Sequence, residues 1–268
     1  MIRSITLLGA GNVATHFGRA FRAADIRIAQ VYSRTQRSAE SLAAVLCAPF
    51  TTDVTAIDRT SDLILAALSD DAVVPVLEQG QWDGCILAHT SGSLPMDVLR
   101  RFSPRCGVMY PLQTFSKQHP LRARDFPVCT EAATPELAQE LRRLAATVSD
   151  VVVEVDSAAR KRLHLAAVFA CNFVNYCYCL ADRVSEGRLA MLEPLIRETA
   201  AKIGDLPPLQ AQTGPARRHD RQIIATHLEM LAANPDCRRV YSLLSAQIMK
   251  LFINQNKNTY DICKREIQ

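Results

Sequence analysis

Three polar side chains, His164, Asn172 and Asn175, interrupt an otherwise apolar run from Leu163 to Ala181. A histidine titrates near neutral pH and can give or take a proton, and an amide nearby can hold a reacting oxygen or nitrogen. At about 100° per residue, His164, Val168, Cys171 and Asn175 fall on one helical stripe, with Asn172 about 80° round from His164. Each polar group needs a partner when buried, so the stripe reads as the lining of a ligand cleft or as crosslinks within a bundle, Asn175 leaning to the second. A further cluster, Thr213-Gly214-Pro215-Ala216-Arg217-Arg218-His219-Asp220, runs into a segment that also bears His227. Arginines entering a helix oppose its dipole unless an anion is near. Arg218 is therefore a candidate for binding an anionic substrate and Asp220 for orienting it, with a solvated basic turn as the alternative.

The element that would position such chemistry starts at the N-terminus, where the apolar run Ile5-Thr6-Leu7-Leu8 leads directly into Gly9-Ala10-Gly11-Asn12-Val13-Ala14. Strand, glycine turn and amphipathic helix (Val13, Phe17, Ala20, Phe21) come in the order of a dinucleotide site. Gly9 permits the turn, Gly11 lets the backbone approach a pyrophosphate, and Ala14 lets the helix pack closely on the strand. Free N–H groups at the helix start, from Ala10 through Val13, then attract the anion. A second strand, Arg27 to Tyr32, ends about 20 residues on, where an NAD site places an acid. Here stand Ser33-Arg34-Thr35, with Arg37 close by. A carboxylate would repel a 2′-phosphate and a guanidinium flanked by hydroxyls would hold it, so NADP is favoured over NAD.

Strand and helix candidates alternate from residue 4 to about 110, as in a parallel doubly wound sheet. Asp62 to Leu68 ends in Ser69-Asp70-Asp71, and Cys85 to His89 ends in Thr90-Ser91-Gly92. Both deliver polar loops to the carboxyl edge where such sheets bind ligands, making Leu68, Ser69, Asp70 and Thr90 cofactor candidates and Ser91 a substrate candidate. Helix capping is the plain role for Asp70 and Thr90, expected to hold for at least one of them. Arg105 to Met109 reads as a strand followed by Tyr110-Pro111-Leu112-Gln113-Thr114-Phe115, in which Gln113 and Thr114 could face a substrate. Phe126 to Thr130, a helix from Pro135 to about Ala146 capped by Thr134, and Val151 to Val155 close the sheet. The composition then changes near Asp156. Helices are expected over about 157–186, 189–203, 216–233 and 238–256, with Gly187, Gly204, Pro207-Pro208 and Asn234-Pro235 between them. The fold class is α/β: a Rossmann, mainly parallel sheet in residues 1–156, then an all-helical domain in 157–268.

Among 268 residues, 49% are hydrophobic, enough for two folded domains. The formal charge of +4, from 31 Lys and Arg against 27 Asp and Glu, has no long basic block and does not point to nucleic acid. The first strand begins within a few residues of Met1, which leaves no visible signal peptide and favours the cytoplasm. None of the nine cysteines forms a C-x-x-C pair, so buried reduced thiols are expected rather than a metal site. The run Leu163 to Ala181 approaches the length of a membrane span, but His164, Asn172 and Asn175 within it argue for a soluble bundle.

The glycine turn, Ser33-Arg34-Thr35, Tyr110 to Phe115, His164 to Asn172 and Thr213-Gly214-Pro215 together resemble bacterial Rossmann-like NADP oxidoreductases with a helical C-terminal domain of unassigned function. Nearly the whole chain is covered. More distantly it is similar to pyrroline-5-carboxylate reductase, prephenate dehydrogenase and the β-hydroxyacid dehydrogenases. That resemblance implies that the long helix after the sheet supplies site residues. The β-hydroxyacid dehydrogenases carry a lysine followed four residues later by asparagine there. This chain has Lys161 followed by Leu165, so that chemistry does not transfer. The prephenate dehydrogenases, in which a histidine polarises the substrate oxygen, lend precedent to His164.

The expected activity is hydride transfer between NADP(H) and a small, anionic keto or hydroxy acid or a cyclic imine, with His164 and Asn172 catalytic. A non-catalytic NADP-binding redox sensor and a deazaflavin-dependent NADP reductase are the alternatives. A homodimer built by the helical domain is expected from apolar segments such as Val240 to Ile253.

Overall fold

The computed structural model describes residues 1–119, 121 and 124–265, with side chains as far as Ile253. It divides into two compact units, Met1–Val174 and Asn175–Gln268. Strand gives way to helix where the sequence changes composition near Asp156, but packing divides the chain later, because the first helix beyond the sheet is anchored within the first unit.

The first unit is built on eight strands: β1 (Ser4–Leu8), β2 (Arg27–Tyr32), β3 (Phe50–Thr51), β4 (Leu63–Ala66), β5 (Leu87–His89), β6 (Cys106–Pro111), β7 (Pro127–Ala132) and β8 (Val151–Glu154). Their order across the sheet is β3-β2-β1-β4-β5-β6-β7-β8. The β1–β2, β1–β4, β2–β3, β4–β5 and β5–β6 pairs are parallel, β6–β7 is antiparallel and β7–β8 parallel. A parallel neighbour requires a crossover, whereas the described residues of the β6–β7 connection form no helix and return the chain antiparallel. Successive residues of each strand feed opposite faces. Ile5 and Leu7 join Phe17 and Phe21 of α1 (Asn12–Ala23) and Leu42 of α2 (Gln36–Leu46) on one side. Leu8 and Ile64 join Val73 and Leu77 of α3 (Asp70–Leu77) on the other. Burying both faces makes the central strands continuously apolar. Helix α4 (Pro135–Ala146) starts as expected, with Thr134 accepting from the Leu137 N–H at 3.3 Å.

Helix α5 (Ser157–Ala167), capped by Asp156, continues through a π-helical segment, Val168–Phe173, into α6 (Val174–Val184). By length and composition Ser157–Val184 could cross a membrane, and only 6% of its apolar stretch is buried. Leu165 is 59% exposed and Phe169 63%. The second unit continues with α7 (Glu193–Asp205), the short α8 (Pro208–Ala211), α9 (Arg221–Met230) and α10 (Pro235–Arg265), and no strand occurs among its described residues.

Candidate active site

The glycine turn is shaped by what its backbone must do. Gly9 has φ +113°, its N–H donates to the Tyr32 carbonyl at 2.8 Å, and a Cβ there would strike the Ala67 carbonyl. Gly11 caps α1 with no side-chain bond, and a Cβ on it would meet nothing within 4 Å. The first turn of α1 holds no acid. Its donors therefore face open space at the positive end of a dipole, which suits a phosphate. The cavity there measures about 910 Å³ and reaches Ser33, Arg34, Thr35 and Ser38 on one side and Leu68 and Ser69 on the other. Arg34 is exposed, and Thr35 donates to Ser38 Oγ at 2.8 Å. These groups fit a dinucleotide with a phosphorylated ribose.

Two of the expected cofactor residues are placed differently. Asp71, not Asp70, lines the cavity, and Asp70 instead accepts a short hydrogen bond from Ser93 Oγ. The capping role expected of Asp70 or Thr90 is also not seen. Ser69 is the N-cap of α3 without a side-chain bond, because Asp70 is already the first helical residue. Thr90 is buried, its N–H donating to Ala66 at 3.1 Å.

The loop after β6 closes onto the glycine turn. Asn12 Nδ2 donates to the Phe115 carbonyl at 2.8 Å, Lys117 Nζ donates to the Ala10 carbonyl at 2.6 Å, and His16 stacks on Phe115 at 4.3 Å. Burial, then the Arg19 cation, holds the His16 pKa below the ordinary value. Gln113 and Thr114 are exposed within this loop, the Gln113 amide oxygen accepting from the Thr114 N–H at 2.8 Å.

His164 stands over the loop after β5. Its Nδ1 lies 3.1 Å from the Tyr110 hydroxyl, the two rings meeting edge to face. A Cβ on Gly92 would come within 2.7 Å of the imidazole and 2.8 Å of the Tyr110 ring, so only glycine lets the three pack together. Burial foremost, with Cys129 and Asp70 adding, pushes the Tyr110 phenol up to about 12. It is thus a neutral O–H at physiological pH. When Tyr110 donates to Nδ1, the imidazole hydrogen sits on Nε2; when His164 donates from Nδ1, Nε2 is a base. The pair can serve proton transfer in either direction.

The uniform helical stripe does not survive. In the π segment Val168–Phe173 each residue turns by roughly 15° less than in an α-helix, which over four residues carries Asn172 roughly 60–70° towards the side of His164. Asn172 is exposed there. Asn175, expected on the stripe, lies beyond the π segment in the other compact unit. In that unit, Arg217 and Arg218 do not enter a helix. They lie in a turn, because His219 takes φ +56° and breaks the chain direction before α9 begins. Asp220 caps α9 by accepting from the Ile223 N–H at 3.1 Å, Arg218 is exposed, and Arg217 lies over the Phe252 ring at 5.1 Å. His227 Nδ1 lies 2.8 Å from the Tyr241 hydroxyl beside an apolar cavity of about 380 Å³.

Sequence reading missed Tyr110 and Gly92 as members of the His164 group. Both lie in stretches it had marked, the loop ends after two neighbouring strands, and adjacency of those ends in a parallel sheet is the signal that could have joined them.

Residues 126–248 match a domain of unknown function (DUF2520). No curated protein matches the chain. Among solved structures, a Bacteroides fragilis protein described as an NADP oxidoreductase is 41% identical, with 93% of this chain and 98% of that one covered and a TM-score of 0.86. The reductive aminase of Aspergillus terreus, solved with an NADPH derivative, cyclohexanone and allyl amine, is 15% identical over 93% of each chain, with a TM-score of 0.68. The 1-pyrroline-5-carboxylate reductase of Streptococcus pyogenes is 11% identical over 92% of this chain and 98% of its own, with a TM-score of 0.61. The last two share the fold. The first, alike in sequence across both units, establishes that this chain belongs to the family of the Bacteroides fragilis NADP oxidoreductase.

Proposed function

We propose that this protein is an NADP-dependent oxidoreductase acting on a small keto or hydroxy acid or a cyclic imine, with His164 carrying the proton. The observation that supports this most directly is the Tyr110–His164 pair resting on Gly92 at the carboxyl edge of the sheet that also carries the glycine turn. Gly9 to Val13 would hold the pyrophosphate, and Ser33, Arg34 and Thr35 the 2′-phosphate. Bound NADP would supply or accept the hydride. In reduction His164 would enter as the imidazolium, give its Nε2 hydrogen to the substrate oxygen or nitrogen and be left neutral, with its Nδ1–H donating to the Tyr110 oxygen; oxidation would run the same transfer in reverse. Thr90 and Ser91 would border the reacting carbon, Gln113 and Thr114 the rest of the substrate, and Asn172 would steady the reacting heteroatom.

The exposed apolar face of Ser157–Val184, with Leu243 58% and Leu251 52% exposed on α10, supports a homodimer. The test of function is an NADPH-oxidation screen over small keto acids and cyclic imines, run beside NADH. Turnover with NADPH on one class is the expected result; no turnover on any, together with tight NADPH binding, would leave a cofactor-binding protein instead. Light scattering at micromolar concentration should give a dimer mass, and a monomer would overturn that assignment.

A further inference from the structure

We propose that Arg160 and Glu131 are positioning residues, a buried guanidinium paired with a partly buried carboxylate, whose role is to fix the first turn of α5 against the loop after β5 and so set His164 on Tyr110. The proposal rests on the reading of His164 as proton carrier. Arg160 is 1% exposed. Its Nη1 donates to Glu131 of β7, and its Nη2 to the Leu94 carbonyl at 2.5 Å and to Ser157 Oγ at 3.2 Å. Ser157 Oγ in turn donates to Glu131 at 2.8 Å and accepts the Met96 N–H at 3.0 Å. Ser91 Oγ accepts from the Ser93 and Leu94 N–H groups, and Ser93 donates to Asp70. Residues 91–96 are thus held at both ends, and the later end is tied to α5.

Arg160 and His164 are four apart and share a helix face. With the first turn locked at Leu94 and Met96, the next turn brings the imidazole down on Gly92. Slippage of α5 by a fraction of its 1.5 Å rise would separate His164 from Tyr110. The pair is poorly explained as a stabiliser. Buried ion pairs are often matched or bettered by apolar residues, and this one leaves Arg160 Nε without a partner beside His89, whose Nε2 is also unpartnered. What a forked guanidinium supplies that an apolar pair cannot is fixed geometry between three segments.

The experiment uses the full chain labelled with ¹⁵N-histidine. The His164 resonances, identified by their loss in His164→Gln, report the imidazole tautomer, and NADPH affinity is read by fluorescence. In the neutralised pair Arg160→Met/Glu131→Gln the expected result is NADPH affinity within about threefold of wild type, because the glycine turn is untouched, with loss of the Tyr110-bonded tautomer. On any substrate found, kcat should fall by about 10² with KM little changed. Arg160→Lys, which keeps the charge but not the fork, should recover only part of this. A double variant with the wild-type His164 signal overturns the proposal. If the double variant does not fold, Ser157→Ala, which removes the Met96 acceptor and the serine's bonds to Arg160 and Glu131 but leaves the ion pair, must shift the same signal or the proposal fails. Because the tautomer is read without turnover, a fully active His164→Gln would overturn the proton-carrier reading while leaving the positioning result readable.

Discussion

The glycine turn and the His164 corner sit on one sheet edge and are built by opposite means. The turn is backbone: Gly9 in a conformation side chains avoid, Gly11 facing open space, helix donors with no side-chain cap. The corner is side chain: Tyr110 and His164 close on a glycine whose missing Cβ their rings fill, and the Arg160–Glu131 pair ties α5 to the same loop at Leu94. A site made of backbone admits an anion of many shapes and tolerates exchange of its surface side chains. A site made of interlocked side chains fixes one geometry and fails as a unit.

The sharpest test of that contrast is His164→Ala. Turnover should fall by roughly 10²–10⁴ while NADPH affinity stays nearly unchanged, as steady-state kinetics and fluorescence titration would show. A parallel loss of cofactor affinity would mean the two regions are not separable. Next in size is acid sensitivity, which half-buried His16 shares in direction at the turn and His89 carries further at the corner. Burial foremost, then the Arg160 cation, pushes His89 down to about 4, against opposing contributions from the Pro95 carbonyl and Asp70. The folded state refuses a proton that the unfolded chain accepts below its ordinary value near 6.5. Stability is therefore fully present above about 6.5 and is lost as pH falls towards 4, by about 3 kcal/mol in all. Thermal melts of the wild type and His89→Asn from pH 7 to 4 check this, since the variant should lose that part of the slope. Smaller again is Arg34→Ala, which should weaken NADPH by about 1.5–3 kcal/mol, roughly ten- to a hundredfold, and leave NADH where it was. Equal wild-type affinities for the two cofactors would remove the reason for the assignment.

The same contrast explains what could be read in the chain beforehand. Strand, turn and helix at residues 4–23 are contiguous, and each glycine states a local backbone need, so the cofactor edge was legible. So were the alternation of strands and helices along the chain and the helical character of the part beyond Asp156. The corner draws on residues 89–96, 110, 131 and 157–164, which come together only once β5, β6 and β7 are ordered in the sheet. The need of a cation near a helix start for an anion, expected at Arg217 and Arg218, holds with more force at Arg160, which has Glu131 as its partner. In the turn before α9 it had no helix to act on. The π segment was also illegible, since an extra residue per turn leaves no mark in a mostly apolar run.

The reversal of β7 against β6 has a bearing on how such a protein can diversify. The connections that carry helices must keep their length to cover the sheet. The described residues between Pro111 and β7 form no helix and meet the scaffold at a few anchors: the Phe115 ring on His16, its carbonyl on Asn12, Lys117 on the Ala10 carbonyl, and Arg124 on the end of α4. Between those anchors Gln113, Thr114 and Ser116 are exposed, and exchanges at them leave both layers undisturbed. New substrate preferences in descendants of this chain should therefore be written first at Gln113, Thr114 and Ser116, while the sheet beneath stays as it is.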